Sequence, residues 1–265
     1  MDENPIVGET RPTENIPEVS ESVLITPEAT EETAAADAAI AVGAIRVEPA
    51  NEQSMRKHGF RYGCYLFVKR LFDMLSSGIV LILISWLLLI FLLIKWLEDF
   101  HNPVYVSTRV GKDGKQFRIL KIRTMVPDAE AMKQQLIDQG LNEADPPAFK
   151  MKNDPRITKV GKFYRKFSID ELLQLINVFL GSMSVVGPRP PIPSEVEEYT
   201  PLQKHRLDVK GGLLCLWQVQ KDRNSIKFDE WINLDLEYIK NQSLWLDTKI
   251  IFKGFWMVLF DHSGE

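Results

Sequence analysis

The chain has 265 residues, room for one catalytic domain with appendages, and a formal net charge of −4. The charge is uneven: residues 1–50 hold eleven Asp/Glu against Arg11 and Arg46, whereas the rest holds 30 Lys/Arg against 25 Asp/Glu. Cys64 and Cys215, far apart and in no CxxC pattern, favour a reduced, cytosol-facing protein over a disulfide. The scattered His58, His101, His205 and His262 argue against a zinc site.

Residues 1–55 form the first segment in chain order. The first fifty are rich in Thr, Ala, Pro and Glu and have no aromatic residue, so they bury too little apolar surface to offset ordering. A disordered acidic tail is predicted, and its first thirty residues lack a signal-peptide pattern. Residues 56–100 are predicted to anchor the chain in a membrane. From Leu75 to Ile94 there is no charge, and twenty residues at about 1.5 Å each span roughly the 30 Å hydrocarbon core. Arg56, Lys57, Arg61, Lys69 and Arg70 precede this run, and Lys95, Arg109, Lys112, Lys115, Arg118, Lys121 and Arg123 follow it. Both flanks therefore prefer the cytoplasm. A helix that enters, bends and returns on one side removes the conflict, with Ser85 easing the bend through a bond to a backbone carbonyl. No proline supports a kink, so spanning and re-entry both stay open.

Residues 101–265 are predicted to form the catalytic domain. Val104–Val110 and Phe117–Met125 read as strands, with Asp113-Gly114 in a hairpin turn between them. Pro127–Ile137 reads as a helix with Asp128 and Glu130 in its first turn, and residues 139–155 read as a loop. Arg156, Lys159, Lys162, Arg165 and Lys166 are spaced as a basic helical stripe, either solvated or facing anionic headgroups. FDEWINLDLEYIK reads as a helix ending before Asn241-Gln242. Ser243 then caps SLWLDTKIIFKGFWMVLF, too polar to span, which either lies in the membrane interface or packs as a core helix.

The run SIDELLQLINVFLGSMSVVGPRP, residues 168–190, carries the chemistry. Ser168-Ile-Asp-Glu171 fits a capping box: Ser168 caps, Glu171 reaches back and Asp170 sits in the first turn. The catalytic alternative makes one carboxylate a nucleophile and the other a Mg²⁺ ligand, since phosphate esters repel anionic attackers unless a cation intervenes. Gly187-Pro-Arg-Pro190 restrains the backbone on both sides of Arg189, either as a rigid turn or as a fork for a diphosphate. Lys121 and Arg123, in KIRTM, place two cations on one face of a strand, which taken singly reads as surface charge.

Taken together, KRLFD (69–73), RVGKDGKQFRILKIRTM (109–125), residues 153–190, LWQV (216–219) and LDLEYIKNQSLWLDTKII (234–251) resemble the small monotopic phosphoglycosyl transferases of bacteria, from about Lys69 to Phe260. The resemblance implies an α/β (α+β) fold: a compact membrane-associated globule on one hydrophobic re-entrant helix, with amphipathic interfacial helices. It implies transfer of a sugar-1-phosphate from a UDP-sugar to polyprenol (undecaprenyl) phosphate, with release of UMP, initiating exopolysaccharide, capsule or other surface glycan synthesis. Asp170 would be the covalent nucleophile and Glu171 would help hold Mg²⁺. Pro188, Arg189 and Pro190 would contact the nucleotide sugar, and Lys121 and Arg123 its phosphates. The implied location is the bacterial inner membrane with the catalytic domain facing the cytoplasm; the implied partners are donor, acceptor and bilayer, with no nucleic acid and with homo-oligomerisation left open. Two departures stand out: the helix break is Ser85-Trp86 where the family has Ser-Pro, and Gly211-Gly-Leu-Leu-Cys215 replaces Pro-Gly-x-Thr-Gly. That loop and the acidic tail motivate a competing reading, a non-catalytic membrane scaffold.

Overall fold

The computed structural model describes residues 59–143, 151, 153–220 and 226–260. The predicted tail, 1–55, and His58 and His262 lie outside them.

Helix α1 (Phe60–Asp99) is forty residues long and unbroken. At 1.5 Å per residue it extends roughly 60 Å, and its apolar stretch is long enough to cross a membrane. Ile82 is 76 % exposed and Leu89 68 % exposed, and the exposed apolar surface continues from Phe67 to Leu97. So long an exposed apolar face marks a membrane or partner surface. Ser85 makes the expected bond, donating Oγ to the Ile82 carbonyl at 2.9 Å, within a helix that stays helical on both sides.

Both ends of α1 are fastened to the same globule. Near its start, Arg70 donates to the Val178 and Phe179 carbonyls, Lys69 pairs with Asp247, and Asp73 accepts from the Val185 amide. Near its end, the buried Lys95 reaches Glu98, Asp99 and Thr158, while Glu98 accepts from the Val160 amide. Between these anchors Leu81, Ile84, Leu88 and Phe91 pack on Ile122, Tyr164, Ile169 and Leu173.

Strands β1 (Val104–Val110) and β2 (Gln116–Ile122) pair antiparallel. Asp113 (φ 58°) and Gly114 (φ 73°) both occupy the left-handed region, the turn expected of Asp-Gly. Beyond Ile122 the chain leaves the ladder, and Met125 forms only a bridge with Ile157, so the second strand is shorter than its sequence suggests. Helix α2 (Ala129–Asp138) follows, then α3 (Lys159–Lys166), capped by Thr158 Oγ1, which accepts from the Gly161 amide.

The predicted basic stripe divides. Lys159, Lys162 and Lys166 are exposed on α3, but Arg156 precedes the helix, buried against Asp154 at 2.6 Å, and Arg165 donates to Thr124 Oγ1. Two of its five cations thus serve the interior, because Asp154 and Thr124 satisfy them there.

Helix α4 (Gln174–Leu180) leads to β3 (Ser184–Val186), which pairs parallel with β4 (Gly212–Leu214); α5 (Pro193–Glu197) lies between them in sequence. Helices α6 (Phe228–Asn241) and α7 (Leu244–Phe260) close the main core, where Val186, Leu216, Ile232, Leu236, Ile239 and Ile250 meet. Ser243 does cap α7, accepting from the Leu246 amide. The core reading of α7 is met, since Leu246, Ile250 and Met257 face the core, while Trp245, Phe252, Phe255 and Trp256 are exposed on its other side.

Candidate active site

The capping box is overturned. Ser168 has φ 54° and makes no capping bond; residues Ile169–Glu171 form a 3-10 turn, and α4 begins only at Gln174. The left-handed Ser168 turns the chain sharply out of α3, and Ile169 and Leu173 anchor the turn in the core. Glu171, released from capping, meets Lys121 of β2, with Nζ 2.9 Å from Oε1. Burial pushes the Glu171 carboxyl up, but Lys121 and Arg189 outweigh it and hold it below the usual carboxylate range. Asp170 goes the other way: burial, then the neighbouring Glu171 charge, push it up to about 6, against the pull of Lys121 and Arg165.

Asp170 opens into a cavity of about 460 Å³ whose lining includes Arg109, Lys121, Arg123, Arg165 and Arg189. Glu171 faces an adjoining crevice with Arg109, Lys121, Arg189, Pro190, Cys215 and Gln218. The expected residues Asp170, Glu171, Lys121, Arg189 and Pro190 therefore converge.

The Gly187–Pro190 loop is held by every carbonyl of its Pro-Arg-Pro. The Gly212 amide donates to Pro188 O at 2.8 Å, Arg206 Nη2 to Arg189 O at 3.1 Å, and Arg109 Nη1 to Pro190 O at 3.3 Å. Pro188 and Pro190 are buried, so they support the loop, and the side chain of Arg189 is the part that faces the cavity. Arg206 is itself fixed by Asp235, with Nη2 2.6 Å from Oδ2, and donates to the Tyr199 hydroxyl.

Arg123 lines the same cavity, but its guanidinium grips Asp99 through both terminal nitrogens at 2.8 and 2.6 Å, and Nε donates to Asn102 O. It joins the end of α1 to β2. Ser85 lies apart, on the exposed flank of α1.

Arg109 is a site residue that single-residue reasoning passed over. Its Nε is buried without a hydrogen-bond partner among the described residues, and burial followed by the Arg189 charge push its guanidinium down. Two neighbouring guanidiniums repel unless an anion lies between them. The signal available was its place in the RVGKDGK run.

As to metal, no group of three or more His, Cys, Asp or Glu gathers among the described residues. The hard oxygens of Asp170 and Glu171 fit Mg²⁺, which binds through one or two carboxylates plus substrate phosphates.

The site is thus a carboxylate pair facing clustered cations, set on a mixed α/β globule with a long apolar helix. The chain belongs to the bacterial sugar transferase family, whose model matches residues 64–261. It is 40 % identical over 226 residues to a "galactosyl transferase CpsE" of Streptococcus agalactiae, covering 84 % of this chain and 50 % of that protein. It is 43 % identical over 195 residues to an "undecaprenyl-phosphate galactose phosphotransferase" of Salmonella typhimurium, covering 73 % of this chain and 40 % of that one. With the "exopolysaccharide production protein ExoY" of Rhizobium meliloti it shares 37 % over 187 residues, 70 % of this chain and 82 % of that protein. The chain thus spans half or less of the first two relatives and most of the third.

Proposed function

We propose that this protein transfers a sugar-1-phosphate from a UDP-sugar to polyprenol phosphate at the cytoplasmic face of the bacterial inner membrane, beginning a surface glycan such as exopolysaccharide or capsule. The reading rests above all on Asp170, a carboxylate facing a cavity lined by Arg109, Lys121, Arg165 and Arg189. Its relatives' names, with a UDP-sugar or undecaprenyl phosphate in several, support the substrate class.

In the first half-reaction an Asp170 oxygen attacks the β-phosphorus of the donor. An acyl-phosphate bond forms, the bond from β-phosphorus to the bridging oxygen breaks, and UMP leaves with that electron pair. Lys121, Arg109 and Arg189 balance charge on the diphosphate and orient it. In the second, a phosphate oxygen of the polyprenol phosphate attacks the same phosphorus and Asp170 departs as a carboxylate. Mg²⁺, held by Glu171, would supply neutralisation of phosphate oxygens that would otherwise repel Asp170.

The anchoring of α1 supports a one-sided topology. Its polar anchors at Asp73 and Lys95 bind one globule, although the apolar run lies between them. A straight crossing would drag charged contacts through the bilayer; a helix entering and leaving on one face keeps them in water. This supports a cytoplasmic domain on a helix held from one face; the expected break at Ser85 is absent, because with no proline there α1 stays helical from Phe60 to Asp99.

UMP release by membranes containing the protein, with Mg²⁺ and a panel of UDP-sugars, tests the activity. Release that requires one UDP-sugar supports it; no release with any common donor favours a scaffold.

A further inference from the structure

A second basic pocket lies near the start of α1 and shares no lining residue with the two cavities at Asp170. It measures about 140 Å³ and is walled by Lys69, Arg70 and Asp73 of α1, by Lys112 in the β1–β2 turn, by Lys210, and by Asp208, which pairs with His205. Lys69 is paired with Asp247, and Arg70 holds two carbonyls. Lys112 and Lys210, in contrast, carry no ion pair or side-chain hydrogen bond among the described residues. Burial, then Arg70, push the Lys210 ammonium down, with Lys112 adding to the effect and Asp73 opposing it. Ser184 Oγ, in a residue 1 % exposed, lines the same pocket and has no hydrogen-bond partner among the described residues. A buried hydroxyl and unpaired ammonium groups facing one small space call for an oxyanion.

The pocket's apolar rim indicates its source. Leu66 lines it while remaining 37 % exposed, and Phe67 and Leu71 beside it are also exposed. Apolar surface therefore runs from the mouth of the pocket along α1 into its hydrophobic stretch, which starts at Leu75. A free anion would make no use of that surface; acyl chains would.

We propose that this pocket binds the phosphate of an anionic phospholipid headgroup, held by Lys112, Lys210 and Ser184 with its chains along Leu66 and Phe67. The site shares no lining residue with the cavities at Asp170. The inference rests on the membrane placement of α1 but not on the transfer chemistry, so each fails independently.

The test uses the full chain in phosphatidylcholine nanodiscs carrying a minor fraction of phosphatidylglycerol with a photoreactive headgroup. Crosslinks are expected on the peptides bearing Lys112 or Lys210. Lys112→Gln with Lys210→Gln should lower the yield about 30-fold, while UMP release stays at the parent level. Restoring the charges with Lys112→Arg and Lys210→Arg should recover it. Ser184→Ala, a minimal change that spares the fold, should lower it about fivefold. An unchanged yield in these variants overturns the proposal. So does loss of the crosslink to excess inorganic phosphate, which would assign the pocket to a soluble anion. Competition by polyprenol phosphate, with a raised acceptor KM in the lysine variants, would assign it to the acceptor and equally overturn the proposal.

Discussion

Lys121 Nζ lies 2.9 Å from Glu171 Oε1, joining strand β2 to the turn that carries Asp170. The pair sets two neighbouring carboxylates apart: Glu171 is held ionised, and its charge adds to the burial that raises Asp170. Replacing Lys121 with Gln removes both the partner of Glu171 and a cation facing the donor. UMP release should fall about 100-fold in kcat/KM, in the range for losing one group aimed at developing charge. Lys121→Arg should retain more activity than Lys121→Gln.

Asp170 attacks only as a carboxylate. With its pKa at about 6, kcat/KM for donor cleavage should rise with pH through that value and level off above it. A midpoint near 4, the ordinary aspartate value, would contradict the burial of Asp170.

The same shift bears on stability. The folded-state value lies above that of an unfolded aspartate, so the folded chain holds this proton more tightly. Its stabilising contribution is complete below about pH 4 and is lost as pH rises through about 6. Asp170→Asn should therefore be inactive yet more stable at neutral pH, by about 1–3 kcal/mol. The gain should shrink toward pH 4, as read by thermal unfolding in detergent across that range.

Arg206 supports the donor loop from behind, bonding Arg189 O while paired with the buried Asp235. Asp235→Asn leaves a buried guanidinium undercompensated and should cost about 3–5 kcal/mol. Donor KM should rise, because the Pro188–Pro190 backbone loses one of its three ties. Denaturant unfolding and donor titration check the two effects separately.

Gly212 packs backbone to backbone on Gly187: an added Cβ would sit 2.1 Å from the Gly187 nitrogen. Gly212→Ala should force β4 off β3, costing about 3 kcal/mol or more. Circular dichroism and thermal unfolding would show it. Gly212 thus keeps the close approach to Gly187 that the loop requires.

Much of this was legible in the sequence because local chemistry agreed with the fold. Asp113-Gly114 dictates a left-handed turn, Ser243 caps α7, and twenty uncharged residues mark α1. Motif order likewise brought Asp170, Glu171, Lys121 and Arg189 to one place. What escaped depended on tertiary partners. Ser168 to Glu171 has the letters of a capping box, but Lys121, fifty residues away, claims Glu171. Arg123 looks like a phosphate ligand until Asp99 occupies it, and Arg156 looks solvated until Asp154 buries it. Arg109 gave no signal alone, because its meaning comes from lying beside Arg189.

The topology has its own check. In a Cys64→Ser background, a cysteine at exposed His101 should resist a membrane-impermeant maleimide applied outside intact cells and react after lysis. Labelling in intact cells would rule out a helix that returns to the cytoplasmic side.

The central claim is the covalent step at Asp170. Incubating the purified protein with Mg²⁺ and its UDP-sugar, without acceptor, should produce one equivalent of UMP and a phosphosugar adduct. Peptide mass spectrometry should map that adduct to Asp170, and added polyprenol phosphate should discharge it. Asp170→Asn should form neither adduct nor UMP. Full transfer activity in Asp170→Asn, or an adduct on another residue, would contradict the account.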